Sequence, residues 1–258
     1  MSKLSIAFLA VATLVAWPVA SAKELAPRPL LVDGKPINPL CLLPIADQTG
    51  QSSRIDLKNC VSDITLENTI PPIPGLIGFD YANKGEPSDW PRSSFYYRYL
   101  GQLGKVSILF AQYSGGGSGH FTSLVELERR DAASFNFRDI AGGDRCNGAI
   151  SNYSVTNGHV QYTQDLTPWM LMQFGLAQLD TAFDGLESSA TSCVATAHMR
   201  GSHLVSITLD HGVANNSYKP QACFDQTHLK FVGKKDFELD RAKLDSFRSQ
   251  FKACIAGR

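Results

Sequence analysis

Six cysteines, Cys41, Cys60, Cys146, Cys193, Cys223 and Cys254, all fall downstream of an N-terminal block with the order of an export signal. Residues 1–22 carry a single lysine (Lys3), an apolar run from Ile6 to Trp17, and the small residues Ala20 and Ala22 around Ser21. That order predicts a secretory signal peptide cleaved after Ala22. The run is shorter than the ~20 residues that span a bilayer, and Pro18 interrupts its end. No cysteine follows the expected cleavage site as it would in a lipoprotein, and no later stretch reads as a membrane helix. A soluble exported protein, periplasmic or secreted, is the expectation, with no integral membrane segment after signal cleavage.

An even cysteine count in an exported chain predicts disulfides. The pairing with the shortest loops is Cys41–Cys60, Cys146–Cys193 and Cys223–Cys254. Each bridge would contribute roughly 2–4 kcal/mol by restricting the unfolded chain. No two cysteines have CxxC spacing, no HExxH occurs, and no histidine pair completes a zinc pattern, so the sequence assigns no metal and no cofactor. Lys3 is the only charged residue of the signal block, which leaves the remainder one acidic residue in excess. Near-neutrality and the absence of a basic run argue against nucleic acid as a partner. The 43% apolar content is enough for a substantial core.

Residues 23–75 are proline-rich, with Pro27, Pro29, Pro36, Pro39 and Pro44 in the first half. They read as an extended arm tied down by the first disulfide, with a short strand near Val61–Leu66 and PPIPG (71–75) as its end. Residues 76–258 read as one α+β domain. Its strands are FYYRYL (95–100), VSILFAQY (106–113), HFTSLVELE (120–128) and SFNFRD (134–139). In ISNYSVTNGHVQYTQ, Asn157-Gly158 predicts a type I′ hairpin that sets Val155 against Val160 and Tyr153 against Tyr162. Asn152, Ser154, Thr156, His159, Gln161 and Thr163 then share the polar face. Trp169, Met172, Leu176, Leu179 and Phe183 predict an amphipathic helix capped by Thr167-Pro168. CVATAHM (193–199) and HLVSITLD (203–210) predict another hairpin, with His203 on its apolar face. Leu244, Phe247, Phe251 and Ile255 predict a final helix, which Cys254 would pin to a loop holding Cys223. The expected fold is a largely antiparallel sheet of hairpins and meander, with two amphipathic helices against one face, stapled by disulfides.

Counting reversals along a simple meander gathers Trp90, Arg92, Ser118, His120, Asp144, Arg145, Trp169 and His211 at one rim. That rim holds the glycine-rich segments SGGGSG (114–119) and AGGDRCNG (141–148). Aromatic, charged and hydroxyl groups among glycines suit a ligand surface. Each element also has a plainer reading. SGGGSG lacks the Gly-Lys-Ser/Thr ending of a phosphate loop and joins strand to strand. Ser118 misses the G-x-S-x-G elbow because His120 stands where the second glycine belongs. Asp144-Arg145 reads as a turn with an ion pair, and Trp169 as core. The sequence therefore points to a non-catalytic protein binding a small ligand or an envelope partner. The alternatives are a hydrolase using Ser118 or Asp144 with His120 or His211, and an assembly protein docking through residues 23–75.

Overall fold

The strands expected from alternation are present, but they divide between two antiparallel sheets. The computed structural model describes residues 30–43, 45, 52–58, 60, 64–68, 73–210, 218–233 and 237–257. Residues 1–22, expected to be an export signal, and His211 lie outside these residues. The chain opens with β1 (Leu31–Val32), β2 (Lys35–Pro36), α1 (Pro39–Leu42), β3 (Ser52–Asp56) and β4 (Ile64–Asn68). Five longer strands follow: β5 (Ile77–Asn83), β6 (Ser93–Leu103), β7 (Val106–Ser114), β8 (Phe121–Arg129) and β9 (Ser134–Asp144). Next come β10 (Ile150–Thr156), β11 (His159–Leu166), α2 (Pro168–Gln173), β12 (Ala195–Arg200) and β13 (His203–Leu209). The chain closes with α3 (Lys219–Val232), β14 (Phe237–Leu239) and α4 (Arg241–Ala256).

The first sheet has the order β3-β9-β8-β7-β6-β5-β4, and the second β10-β11-β12-β13-β14. One face of the first sheet buries Phe95, Tyr97, Leu109, Val125, Leu127, Phe135 and Phe137 under Leu30, Ile37 and Leu42. The buried Tyr97 hydroxyl donates to the Ile37 carbonyl at 2.6 Å, so residues 30–42 belong to this core. Tyr96, Ile108, Phe110 and Leu124 on the other face meet Ile150, Val160 and Tyr162 of the second sheet. The second sheet turns the rest of its apolar face, Leu166, Ala195, Ala197, Ile207, Leu209 and Leu239, to the helices.

The bridges are Cys41–Cys60, Cys146–Cys193 and Cys223–Cys254, each joining neighbours in cysteine order. Among the described residues no helix is long and apolar enough to cross a membrane. The architecture is thus the α+β, disulfide-stapled one expected, with differences that have physical causes.

The expected single meander breaks after β9. That strand runs to Asp144, longer than SFNFRD, and Arg145 then adopts φ 46°. Asp144 and Asn147 exchange backbone hydrogen bonds of 3.1 and 2.8 Å, which turns the chain out of the first sheet. Asn157 and Gly158 take φ 51° and 73°, as the tight hairpin requires. Val155 faces Val160, but a bulge between Ser151 and Ser154 removes the Tyr153–Tyr162 pairing. Tyr153 stacks on Phe110 instead, with centroids 4.2 Å apart.

His203 is exposed rather than on the apolar face. A second bulge pairs Met199 with Leu204 and His198 with Ser206, leaving Val205 as the extra residue and inverting the faces. The helix expected through Phe183 ends at Gln173, and Leu179 is exposed. Arg248, buried on α4, takes over the end of α2. Its Nε donates to the Met172 carbonyl at 2.9 Å and its Nη2 to that of Phe174 at 2.5 Å. Cys223 sits in a helix rather than a loop. The inward stripe of α3 includes Gln221, Asp225, Thr227 and His228, whose polarity hides its period. Gln221 donates to Asp225 and accepts the Glu187 N–H, so these two side chains have partners where they are buried.

Arg248→Met removes both carbonyl contacts and leaves the Met172 and Phe174 oxygens unpartnered in that direction. Urea unfolding at unchanged m-value is expected to show a loss of about 2–4 kcal/mol. A loss within error of zero would mean that α2 terminates without this residue.

Candidate functional site

Strand register places most of the expected rim at one end of the first sheet. Ser94 pairs with Ser114, Tyr113 with Phe121, and Phe121 with Asp144, so the turns beyond them are neighbours. The glycine segment folds back on Trp90-Pro91-Arg92. A Cβ on Gly116, at φ 82°, would lie 2.4 Å from the Pro91 carbonyl oxygen, so only glycine fits there. Trp90 is 58% exposed, and Ser118 and His120 are also exposed. Arg92 reaches the Ser88 carbonyl at 3.2 Å.

Asp144 is the centre of this end. It accepts from Arg145 Nε at 2.9 Å, from Arg145 Nη2 at 3.0 Å, and from the His120 backbone N–H at 2.9 Å. The Arg145 guanidinium, helped by the His120 N–H, holds the Asp144 carboxyl below the usual carboxylate range. An acid held ionised by three N–H groups is a poor proton acceptor and a good loop fastener. His120 meets Asp144 through its backbone, so the arrangement is not a triad in which imidazole bridges acid and hydroxyl. Trp169 follows β11 at the same end, joined by the Gly148 N–H to Asp165 carbonyl bond of 3.0 Å. Its side chain packs, partly buried, against the helix-side core.

A different constellation occupies the polar face of the second sheet. Cross-strand pairing sets Gln161 beside Arg200, Thr163 beside His198, and Asp165 beside Thr196. On the far side, Arg200 pairs with His203, His198 with Ser206, and Thr196 with Thr208. The two bulges flank the β11–β12 pair at the level of Thr163 and His198, one on β10 and one on β13. Bulges bend and twist a strand locally, and here both neighbours of the central pair are affected. An open cleft of about 510 Å³ lies there, lined by Asn152, Gln161, Tyr162, Thr163, His198, Met199, Arg200 and Val205. A second cavity of about 430 Å³ lies between the sheets and shares Tyr162 and Met199 with it.

Several groups of this face are already ordered. Asn152, at φ 48° in the bulge, donates to Thr163 Oγ1 at 3.3 Å. Ser151 and Thr163 share a hydroxyl bond of 2.7 Å, and His198 Nε2 lies 3.0 Å from Thr208 Oγ1. Gln161 and Arg200, by contrast, have side chains that no described residue engages in a hydrogen bond or ion pair. One row below, Thr196 donates to Asp165 at 3.2 Å. Burial and the nearby charge of Asp210 push the Asp165 carboxyl up, against the pull of that hydroxyl. Alternation had already put Asn152, Gln161 and Thr163 on one polar face. What it lacked was the identity of the neighbouring strand, which brings His198 and Arg200 alongside. Among the described residues no cluster of three or more acidic, histidine or cysteine side chains could hold a metal ion.

No protein family, curated protein or solved structure compared with the chain matches it.

Two carboxylates of opposite disposition give opposite pH signatures. Asp144 has a depressed folded pKa, so its contribution is present above the ordinary aspartate value and is lost as pH falls through the folded one. Asp144→Asn is expected to lower the thermal midpoint at pH 7 and to matter progressively less in acid. Asp165 has a raised folded pKa, so its charge disfavours the fold once pH rises through that value. Asp165→Asn is therefore expected to raise the midpoint at pH 7 and leave it unchanged at a pH below both values. Melting curves of both variants across pH check this, and two shifts of the same sign at pH 7 would refute it.

Proposed function

We propose that this chain is an exported binding protein that holds a small ligand in the bulged cleft of its second sheet. The signal-like block at residues 1–22 and three bridges that use all six cysteines support an exported setting, periplasmic or secreted. The observation that carries the binding reading is the state of the cleft's side chains. No described residue engages the side chains of Gln161 and Arg200, which stand beside the ordered Asn152, Thr163 and His198 in a concavity of ligand size.

The hydrolase alternative has less support. Ser118 is exposed, Asp144 is committed to Arg145 and to the backbone, and His120 contributes its amide. A fluorophosphonate probe is expected to leave Ser118 unlabelled; labelling that Ser118→Ala abolishes would reinstate the alternative. The exposed Trp90 keeps the rim as a contact surface for an envelope partner in this reading.

The direct test is a thermal-shift screen of the oxidised protein against small polar metabolites, followed by amide chemical-shift mapping. A ligand at 100 times its Kd should stabilise the fold by about 2.7 kcal/mol. Its perturbations should centre on residues 161–163 and 198–200. Val205→Trp, a change at an exposed position, should fill the cleft and abolish the shift while the protein stays folded. Perturbations confined to residues 114–120 and 144 would transfer the site to the rim.

A further inference from the structure

The groups that line the cleft differ from the rest of its sheet face in charge. Beside Tyr162, Met199 and Val205, they are the Arg200 guanidinium, the His198 imidazole, the carboxamides of Asn152 and Gln161, and the Thr163 hydroxyl. No carboxylate is among them. The exposed His203 is the register partner of Arg200 and adds a second imidazole to that row. The nearest acid on β11, Asp165, lies one row away and is held by Thr196. Val205 sits at the margin with 62% of its surface exposed, an apolar patch that the second bulge turns outward.

The geometry points to a small organic anion as the ligand: a carboxylate seated on Arg200 and the carboxamides, with an apolar tail against Val205. This rests on the binding reading above and narrows it. A guanidinium presents a planar fork that matches a carboxylate, and amide N–H groups complete the shell. A cationic ligand would meet no counter-charge in the lining. The aromatic residue of the lining, Tyr162, is buried in the core between the sheets, so a neutral sugar would find hydrogen bonds but no exposed ring to stack on. The open cleft of about 510 Å³ suits a molecule of metabolite size and leaves the tail partly solvated.

The probes are hexanoate, hexanamide and hexylamine, which share a tail and differ in head-group charge. Each is titrated into the oxidised protein at pH 7 and moderate salt and followed by amide shifts at residues 161–163 and 198–200. Hexanoate is expected to bind about tenfold more tightly than hexanamide, the scale of one charge-assisted pair in an open site. Hexylamine is expected to bind more weakly than either. Arg200→Gln should erase the preference for hexanoate over hexanamide, and Arg200→Lys should keep part of it. Val205→Ser should weaken both ligands while leaving their ratio unchanged. Equal binding of hexanoate and hexanamide would overturn the anion assignment and leave the cleft as a ligand site. Silence of all three probes at these residues would overturn the anion assignment and the binding reading together.

Discussion

The passage from β9 to β10, residues 144–149, is the constraint on which the rest of the molecule depends. Asp144 and Asn147 close a backbone reversal, and Arg145 clasps the Asp144 carboxylate. Cys146 is then bonded to Cys193 just ahead of β12. The Ile150 N–H donates to Thr122 Oγ1 at 2.6 Å, tying the start of the second sheet to the first. Without this turn, β10 would run on along the edge of β9 that β3 occupies. With it, the chain crosses over and lays a second sheet across the first. Both faces of the first sheet are then covered, one by residues 30–42 and one by β10 and β11.

The same crossover explains why one polar surface remains. The second sheet divides a single apolar face between two partners, the first sheet on one side and the helices on the other. Its opposite face is left with threonines, serines, amides, Asp165, His198, Arg200 and His203. Two bulges curve that face, and the curvature turns a row of ordinary polar residues into a concavity. The cleft is a by-product of how the sheet is packed from behind, refined by which strand carries an extra residue.

What could be read from the chain divides along physical lines. The Asn157-Gly158 turn was legible because its positive φ values admit few residue types, and the flanking alternation agreed with it. The long strands were legible because β-branched and aromatic residues dominate them. Helix α3 was not, because Gln221, Asp225, Thr227 and His228 face inward, and polar residues that are buried look like solvent-facing ones in sequence. His203 was misplaced because the bulge at Val205 inverts the parity on which the reading relied. Tyr153 keeps the apolar face that alternation gives it, and the bulge beside Asn152 removes only its pairing with Tyr162. The end-to-end neighbours of the rim followed from counting reversals, since those strands do form a meander. The cleft depended on pairing β11 with β12, two strands separated by α2 and a long irregular connection that sequence distance does not join.

The order of the bridges has a consequence for how such a chain matures. Each cysteine is joined to the next in line, so the first pair is complete before the third cysteine is needed, and the second before the fifth. A chain oxidised from its N-terminal end, as it emerges through a pore, would make only native bonds. Nested or interleaved connectivities would instead require early cysteines to wait or to be reshuffled by an isomerase. The linear pattern therefore suits a chain that meets its oxidant while still being threaded across a membrane.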